Sequence, residues 1–192
     1  MPLSVRPSSF SSRLLPAVLA VVMLGASAAA PAQLAPTPLA TQAVVSAAFT
    51  PGKALPLVLD TIRGARSSIL VAAYSFTSRP IATALRDAAR RGVKVFVLVD
   101  SDEATKSYSA ARFLANERVP VRINARYAIQ HNKFMVVDGA TVQTGSFNYT
   151  ASAAERNAEN VLVVRNAPAI AAQYGAQWRR LWDEGTDLTP AY

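Results

Sequence analysis

From residue 44 onward the apolar positions fall into short strand-like runs separated by stretches of helical spacing. Val44–Phe49 is apolar and stopped by Pro51-Gly52, which predicts a first strand. Leu55, Val58, Leu59 and Ile62 then recur at helical intervals. Ser68–Tyr74 is a nearly continuous apolar run, the pattern of a strand buried on both faces. Pro80 opens a helix whose stripe is Ile81, Ala84, Leu85, Ala88 and Ala89, and Arg90-Arg91-Gly92 closes it. Val93–Val99 predicts another strand, 110–117 a helix, and Val121–Ile123 a short strand. Phe134–Val137, Thr141–Thr144 and Val161–Val164 predict three more strands, and Ile170, Tyr174, Trp178, Leu181 and Trp182 mark a final helix. The two Trp could form a stacking platform for bases, but at this spacing they belong to a core. Strands alternating with helices predict an α/β sandwich, a mixed β-sheet flanked by helices, with no internal repeat.

The first 30 residues follow a different pattern. They carry Arg6 and Arg13 and no acid, then an apolar run from Leu14 to Leu24, then Ala26-Ser27-Ala28-Ala29-Ala30 and Pro31. A basic start, an apolar centre and an A-x-A end describe a secretory signal peptide over 1–30. An uncleaved anchor is the competing reading, but the run falls short of the ~20 apolar residues a spanning helix needs. Residues 31–42, rich in Ala, Pro and Thr and uncharged, read as a linker. The expected folded domain is therefore 43–192 in an exported protein, periplasmic or secreted. It is one domain's length, and it has no stable membrane association once the signal is removed. The chain has no cysteine, which excludes disulfides and a lipoprotein anchor but not export.

Charge adds a modest hint. The 192-residue chain has 20 basic and 12 acidic side chains, and removing Arg6 and Arg13 leaves 18 basic and a net charge of +6. That sign suits an anionic polymer or lipid surface, although 16 of the 20 basic residues are Arg, which can reflect coding bias alone. Asp100-Ser101-Asp102-Glu103 is the one acidic cluster. Carboxylates there could hold Mg²⁺ or Ca²⁺, but acids at the start of a helix account for it more simply.

The chemistry is concentrated in Gln130–Thr150, QHNKFMVVDGATVQTGSFNYT, which contains the single histidine, His131. Lys133, Asp138, Gly145, Ser146 and Asn148 complete the pattern H-x-K-x4-D-x6-G-S-x-N. An imidazole can attack phosphorus, an ammonium can hold a phosphate oxygen, and a hydroxyl and an amide can donate further hydrogen bonds to it. Along the predicted strand His131 and Lys133 share a face, whereas Asp138 has the opposite parity. Asp138 is therefore expected to support the site rather than join the chemistry. Asp138-Gly139 signals a tight turn, and the returning strand would bring Ser146 and Asn148 back beside His131 and Lys133.

This motif resembles the catalytic motif of the phospholipase D superfamily. Ala73–Thr77, Arg91–Val95, Ile129–His131 and Asn157–Asn160 are similar to their counterparts in its small, secreted bacterial endonuclease branch, and the resemblance runs from about Val44 to Trp182. It implies that His131 is the nucleophile of a phosphohistidine intermediate and that Lys133, Ser146 and Asn148 bind the phosphate oxygens. It also implies that Glu159 hydrogen-bonds and orients the histidine, that Gly145 and Asp138 support the motif, and that hydrolysis needs no metal or other cofactor. The composition agrees on the last point, since one histidine and no cysteine leave no usual zinc ligand set within one chain.

One histidine per chain raises a requirement of its own. Attack uses a neutral imidazole, and the departing oxygen needs a proton from a second acid. Larger relatives carry two motif copies, so here the second histidine is expected from another chain, in a symmetric homodimer with one composite site. The expected activity is metal-independent, largely sequence-nonspecific cleavage of DNA, with RNA left open. Two other functions fit less of the pattern. A phospholipid-directed phosphodiesterase of the same superfamily would suit the basic surface, and a catalytically silent nucleic-acid-binding module would bind DNA in a salt-sensitive way without turnover.

Overall fold

The computed structural model describes residues 42–106 and 109–190. The expected signal peptide and all of the expected linker except Gln42 lie outside the described residues. No helix among the described residues is long and apolar enough to cross a membrane.

The chain builds β1 (Val44–Thr50), α1 (Ala54–Arg63), β2 (Ser68–Ala73), α2 (Arg79–Arg90), β3 (Lys94–Asp100), α3 (Ser101–Thr105) and α4 (Ala110–Asn116). It continues with β4 (Val121–Asn124), β5 (Lys133–Val137), β6 (Thr141–Gly145), α5 (Ala151–Glu155), β7 (Glu159–Arg165), α6 (Pro168–Asp183) and β8 (Thr186–Asp187). The strands form one mixed sheet in the order β1-β7-β6-β5-β2-β3-β4-β8. β2, β3 and β4 run parallel, joined by helical crossovers, and the remaining neighbours are antiparallel. This is the expected α/β sandwich.

Strand alternation sorts the apolar side chains into two layers. Val71, Val97, Met135 and Val163 pack against Val58 and Ile62 of α1, Ile81 and Leu85 of α2 and Leu114 of α4. Ala72, Phe134, Val136 and Val142 face the other way, against Ala171, Tyr174, Trp178 and Trp182 of α6. Burial on both sides explains why β2 and β5 read as unbroken apolar runs. Trp178 and Trp182 stack with ring centroids 4.8 Å apart, and Trp178 Nε1 donates to the Val71 carbonyl at 2.8 Å. They are core, not a platform for bases.

Two small elements escape the pattern. α5 is five residues long and buries only Ala153, so it shows no apolar period, and its start is marked by the Thr150 cap on Ala153 N. β8 has two residues, both exposed, and exists because Arg122 and Ile123 of β4 pair with it.

Candidate active site

The β5–β6 hairpin is closed by Asp138-Gly139, with φ of +53° and +63°, and Ala140 N donates to the Val137 carbonyl at 3.1 Å. Two successive positive φ values make the primed turn whose twist matches paired strands. The hairpin pairs Phe134 with Thr144 and Val137 with Thr141. β7 then starts at Glu159 and pairs Val161 with Gly145. The start of β5, the end of β6, the start of β7 and the end of β2 therefore meet at one end of the sheet. His131, Lys133, Gly145, Ser146, Asn148 and Glu159 all lie at or beside these strand ends.

Gly145 is required for a physical reason. Its φ is +147°, and a Cβ at that position would lie 2.2 Å from the carbonyl oxygen of Asn160. The backbones of β6 and β7 approach too closely there for any side chain, and that approach sets Ser146 beside Glu159.

His131 is exposed, whereas Lys133 is only 8% exposed. Lys133 Nζ lies 3.0 Å from His131 Nδ1 and donates to the His131 carbonyl at 2.8 Å. It also sits over the Tyr74 ring, 5.2 Å from its centroid, and that ring packs 4.6 Å from the His131 ring. Burial lowers the lysine's proton affinity below the ordinary range, while the negative charge of Glu159 acts the other way. The ammonium is thus poorly hydrated and close to an open surface, a good starting point for gripping an anion.

Ser146 Oγ donates to Glu159 Oε2 at 2.6 Å and accepts from Asn160 N and Nδ2. Asn157 Nδ2 donates to Glu159 Oε1 at 2.8 Å. In this resting arrangement Glu159 is not hydrogen-bonded to His131. The hydrogen bonds of its carboxylate go to Ser146 and Asn157, and the Nδ1 that would meet it faces Lys133 instead. The reason is local, since Ser146 lies beside Glu159 across the tight β6–β7 approach. Asn148 is half-buried, and its Oδ1 has no hydrogen-bond partner among the described residues, so that atom is not tied into the fold.

Asp138 lies at the far end of β5, roughly 16 Å along the strand from Lys133. Its carboxylate accepts from the backbone N–H groups of Arg66, Ser67 and Ser68 and from the Ser67 hydroxyl. Partial burial alone would raise its pKa, but those donors hold it below the usual carboxylate range. The expected supporting role is a structural one, fixing the turn that leads into β2.

Three further residues shape the site. Tyr74 reaches His131 because β2 pairs Ala73 with Lys133. Gln130 is buried, donates to the Ala73 carbonyl and accepts from Asn132 N and Nδ2. Asp100 caps α3 through Oδ1 and accepts from Gln130 N through Oδ2 at 2.9 Å. The acidic cluster is thus a helix start, as expected, and it also anchors the loop that carries His131. No sequence spacing links residues 74, 100 and 131, although Tyr74 follows an apolar strand run and Asp100 closes one. Among the described residues, no group of three or more His, Asp and Glu side chains is placed to hold a cation.

A family model described as "Cardiolipin synthase, PLD-like domain" matches residues 58–182. A phospholipase D of Rickettsia bellii is 39% identical over 135 residues, covering 70% of this chain and 67% of that protein. A mitochondrial cardiolipin hydrolase of Xenopus laevis is 35% identical, covering 66% of this chain and 60% of that protein. Among solved structures, the phospholipase D family member Nuc from Salmonella typhimurium superposes with a TM-score of 0.76 at 38% identity, covering 77% of this chain and 99% of that one.

Proposed function

The chain belongs to the phospholipase D superfamily, and on that premise we propose that it is a metal-independent endonuclease that hydrolyses DNA with little sequence preference. The observation that carries this is the pairing of an exposed His131 with a desolvated Lys133, with Ser146 and Asn148 at the same sheet end. An exposed imidazole can reach a phosphodiester in a long polymer, and its neighbours are the donors a phosphoryl group needs. Contacts made to phosphate carry no base information, hence the weak sequence preference. RNA remains an alternative substrate under the same chemistry.

The resting hydrogen bonds define what substrate must do. Lysine as an ammonium only donates, so at 3.0 Å it holds His131 Nδ1 as an acceptor and leaves the ring proton on Nε2. A nucleophilic Nε2 needs the opposite tautomer. An arriving phosphate offers acceptors to Lys133 Nζ and Ser146 Oγ, drawing them away from Nδ1 and from Glu159. As the Nε2 proton passes to solvent and a proton from solvent settles on Nδ1, the freed carboxylate receives Nδ1–H, which leaves the Nε2 lone pair for attack. Nε2 bonds to phosphorus as one P–O ester bond breaks, and the departing oxygen takes a proton. Water then attacks the phosphohistidine, giving up a proton as the P–N bond breaks.

The proton donor and acceptor in those steps is assigned to His131 of a second copy of the chain. This chain has one histidine, and the same end of the sheet carries exposed apolar residues suited to an interface. Ile129 is 53% exposed, and Phe49, paired with Asn160 at the same sheet end, is 62% exposed. A monomer fully active at concentrations where no dimer exists would remove this part of the proposal. Export follows from reading residues 1–30 as a cleaved signal; a mature protein whose N-terminal sequence began at Met1 would overturn it.

Plasmid nicking in excess EDTA, with His131→Ala alongside, tests the central claim. Wild type should nick and the variant should lose at least ~10⁴-fold, the scale expected when a nucleophile is deleted. Equal cleavage by both would remove His131 from the chemistry. The relatives named phospholipase D and cardiolipin hydrolase favour a second reading, hydrolysis of phospholipids. Turnover of phosphatidyl substrates with none of DNA would select it.

A further inference from the structure

Between α2 and α4 lies a cavity of ≈ 400 Å³ that the chemistry above leaves unused. Its size is that of a small-ligand site. Thr77, Arg79, Thr83, Arg86, Ser109 and Phe113 line it. Arg86 donates twice to Asp87 Oδ1 and lies 5.8 Å from the centre of the Phe113 ring, so it forms a fixed wall with its charge partly offset. The Arg79 side chain is exposed and makes no hydrogen bond or ion pair among the described residues. The cleft thus has one uncompensated cation, hydroxyls at several points and an aromatic ring that is 36% exposed.

The cleft is built on the same segments as the reacting end of the sheet. Tyr74 packs on His131 with centroids 4.6 Å apart, and Thr77 is three residues further along. A chain spans at most ~3.5 Å per residue, so Thr77 lies within about 10 Å of Tyr74. Thr77 N and Ser78 N both donate to the carbonyl of Tyr149, the residue after Asn148, at 2.9 and 2.8 Å. Ala110 N donates to the Phe76 carbonyl, tying α4 to the same strand end.

The geometry points to a flanking-nucleotide subsite in this cleft, resting on the nuclease reading above. It takes a phosphate and base of the substrate strand a few nucleotides from the cleaved bond. Arg79 pairs with the phosphate, the Thr77, Thr83 and Ser109 hydroxyls donate to it, and Phe113 offers a face for the base. A polynucleotide fits because its phosphates recur along the strand, about 3.4 Å apart axially when stacked and further when extended. The span between Tyr74 and Thr77, at most about 10 Å, is covered by a few nucleotide steps. A small diester or a lipid with one phosphate cannot occupy both places at once.

The experiment compares kcat/KM for single-stranded oligonucleotides of increasing length with that for bis(p-nitrophenyl) phosphate, which is too short to reach the cleft. Wild type, Arg79→Ala and Arg79→Lys are measured with cardiolipin vesicles as a further substrate. The expected result is a gain in wild-type kcat/KM as the oligonucleotide lengthens, carried by KM. In Arg79→Ala the ratio of long oligonucleotide to small diester should fall about tenfold, and the salt dependence should lose about one phosphate's share. Arg79→Lys should recover much of it. Arg79→Ala matching wild type on long oligonucleotides would overturn the subsite. So would an Arg79 effect seen only with the two-phosphate lipid. If wild type cleaves the small diester but no DNA, the nuclease reading falls and takes the subsite with it.

Discussion

The two ends of β5 carry residues of one motif and are built on opposite principles. At the start of the strand, His131, Lys133, Ser146 and Glu159 hold one another through contacts that an incoming phosphate can replace. At the far end, Asp138 takes its hydrogen bonds from Arg66, Ser67 and Ser68, and no ligand has a reason to compete for them. One end keeps its donors exchangeable, and the other consumes them in fixing the fold. A short pattern can therefore join chemistry and architecture through a single strand, with strand length separating the two roles. Substitutions at the reactive end should cost activity and spare stability, and those at the far end should do the reverse.

After loss of the proposed nucleophile, His131, the largest effect should come from Lys133→Met. Removing one donor aimed at developing charge costs about 10²–10³-fold in kcat. Thermal stability should hold or rise, because a desolvated ammonium is replaced by an apolar side chain of similar size. A variant that unfolds while keeping its specific activity would break the comparison at this end.

Glu159→Gln should have a smaller effect, roughly 10-fold or somewhat more in kcat. The amide oxygen can still accept from Ser146, but it stabilises a charged imidazole poorly. Sedimentation should show the proposed dimer intact. Full activity would remove Glu159 from the site and return the orientation of His131 to Lys133 alone.

Asp138→Asn should have the least effect on turnover, within about twofold at 25 °C, while lowering stability by about 2–3 kcal/mol. For a domain this size that is a melting temperature lower by about 5–10 °C. The sign with pH follows from the depressed carboxyl pKa. Its stabilisation is present above the unfolded value near ~4 and is lost as pH falls through that value to the folded one. The gap between wild type and variant should therefore be widest at neutral pH and close in acid. Lost activity at an unchanged melting temperature would move Asp138 into the chemistry.

Most of the sheet was legible in the chain because each strand's apolar period and each turn's chemistry act over a few neighbouring residues. The Asp138-Gly139 turn and the core placement of Trp178 and Trp182 are of this kind. α5 and β8 were not legible, since the first lacks an apolar stripe and the second exists only through β4. Tyr74, Asp100 and Gln130 were missed as site-shaping residues for a related reason. Their contacts depend on β2 pairing with β5 and on the end of β3 meeting the loop before His131.

The sequence alone determined which groups are available: one imidazole, its lysine two residues away, a hydroxyl and an amide carried back by a hairpin, and a glycine before them. These follow from side-chain chemistry and from the two-residue period of a strand, both local properties. The tertiary structure decided how those groups are engaged. It gave Glu159 to Ser146 instead of His131, turned His131 Nδ1 to Lys133 and set Tyr74 against both. Those choices depend on the close β6–β7 approach at Gly145 and on the β2–β5 register, which bring together segments far apart in the chain.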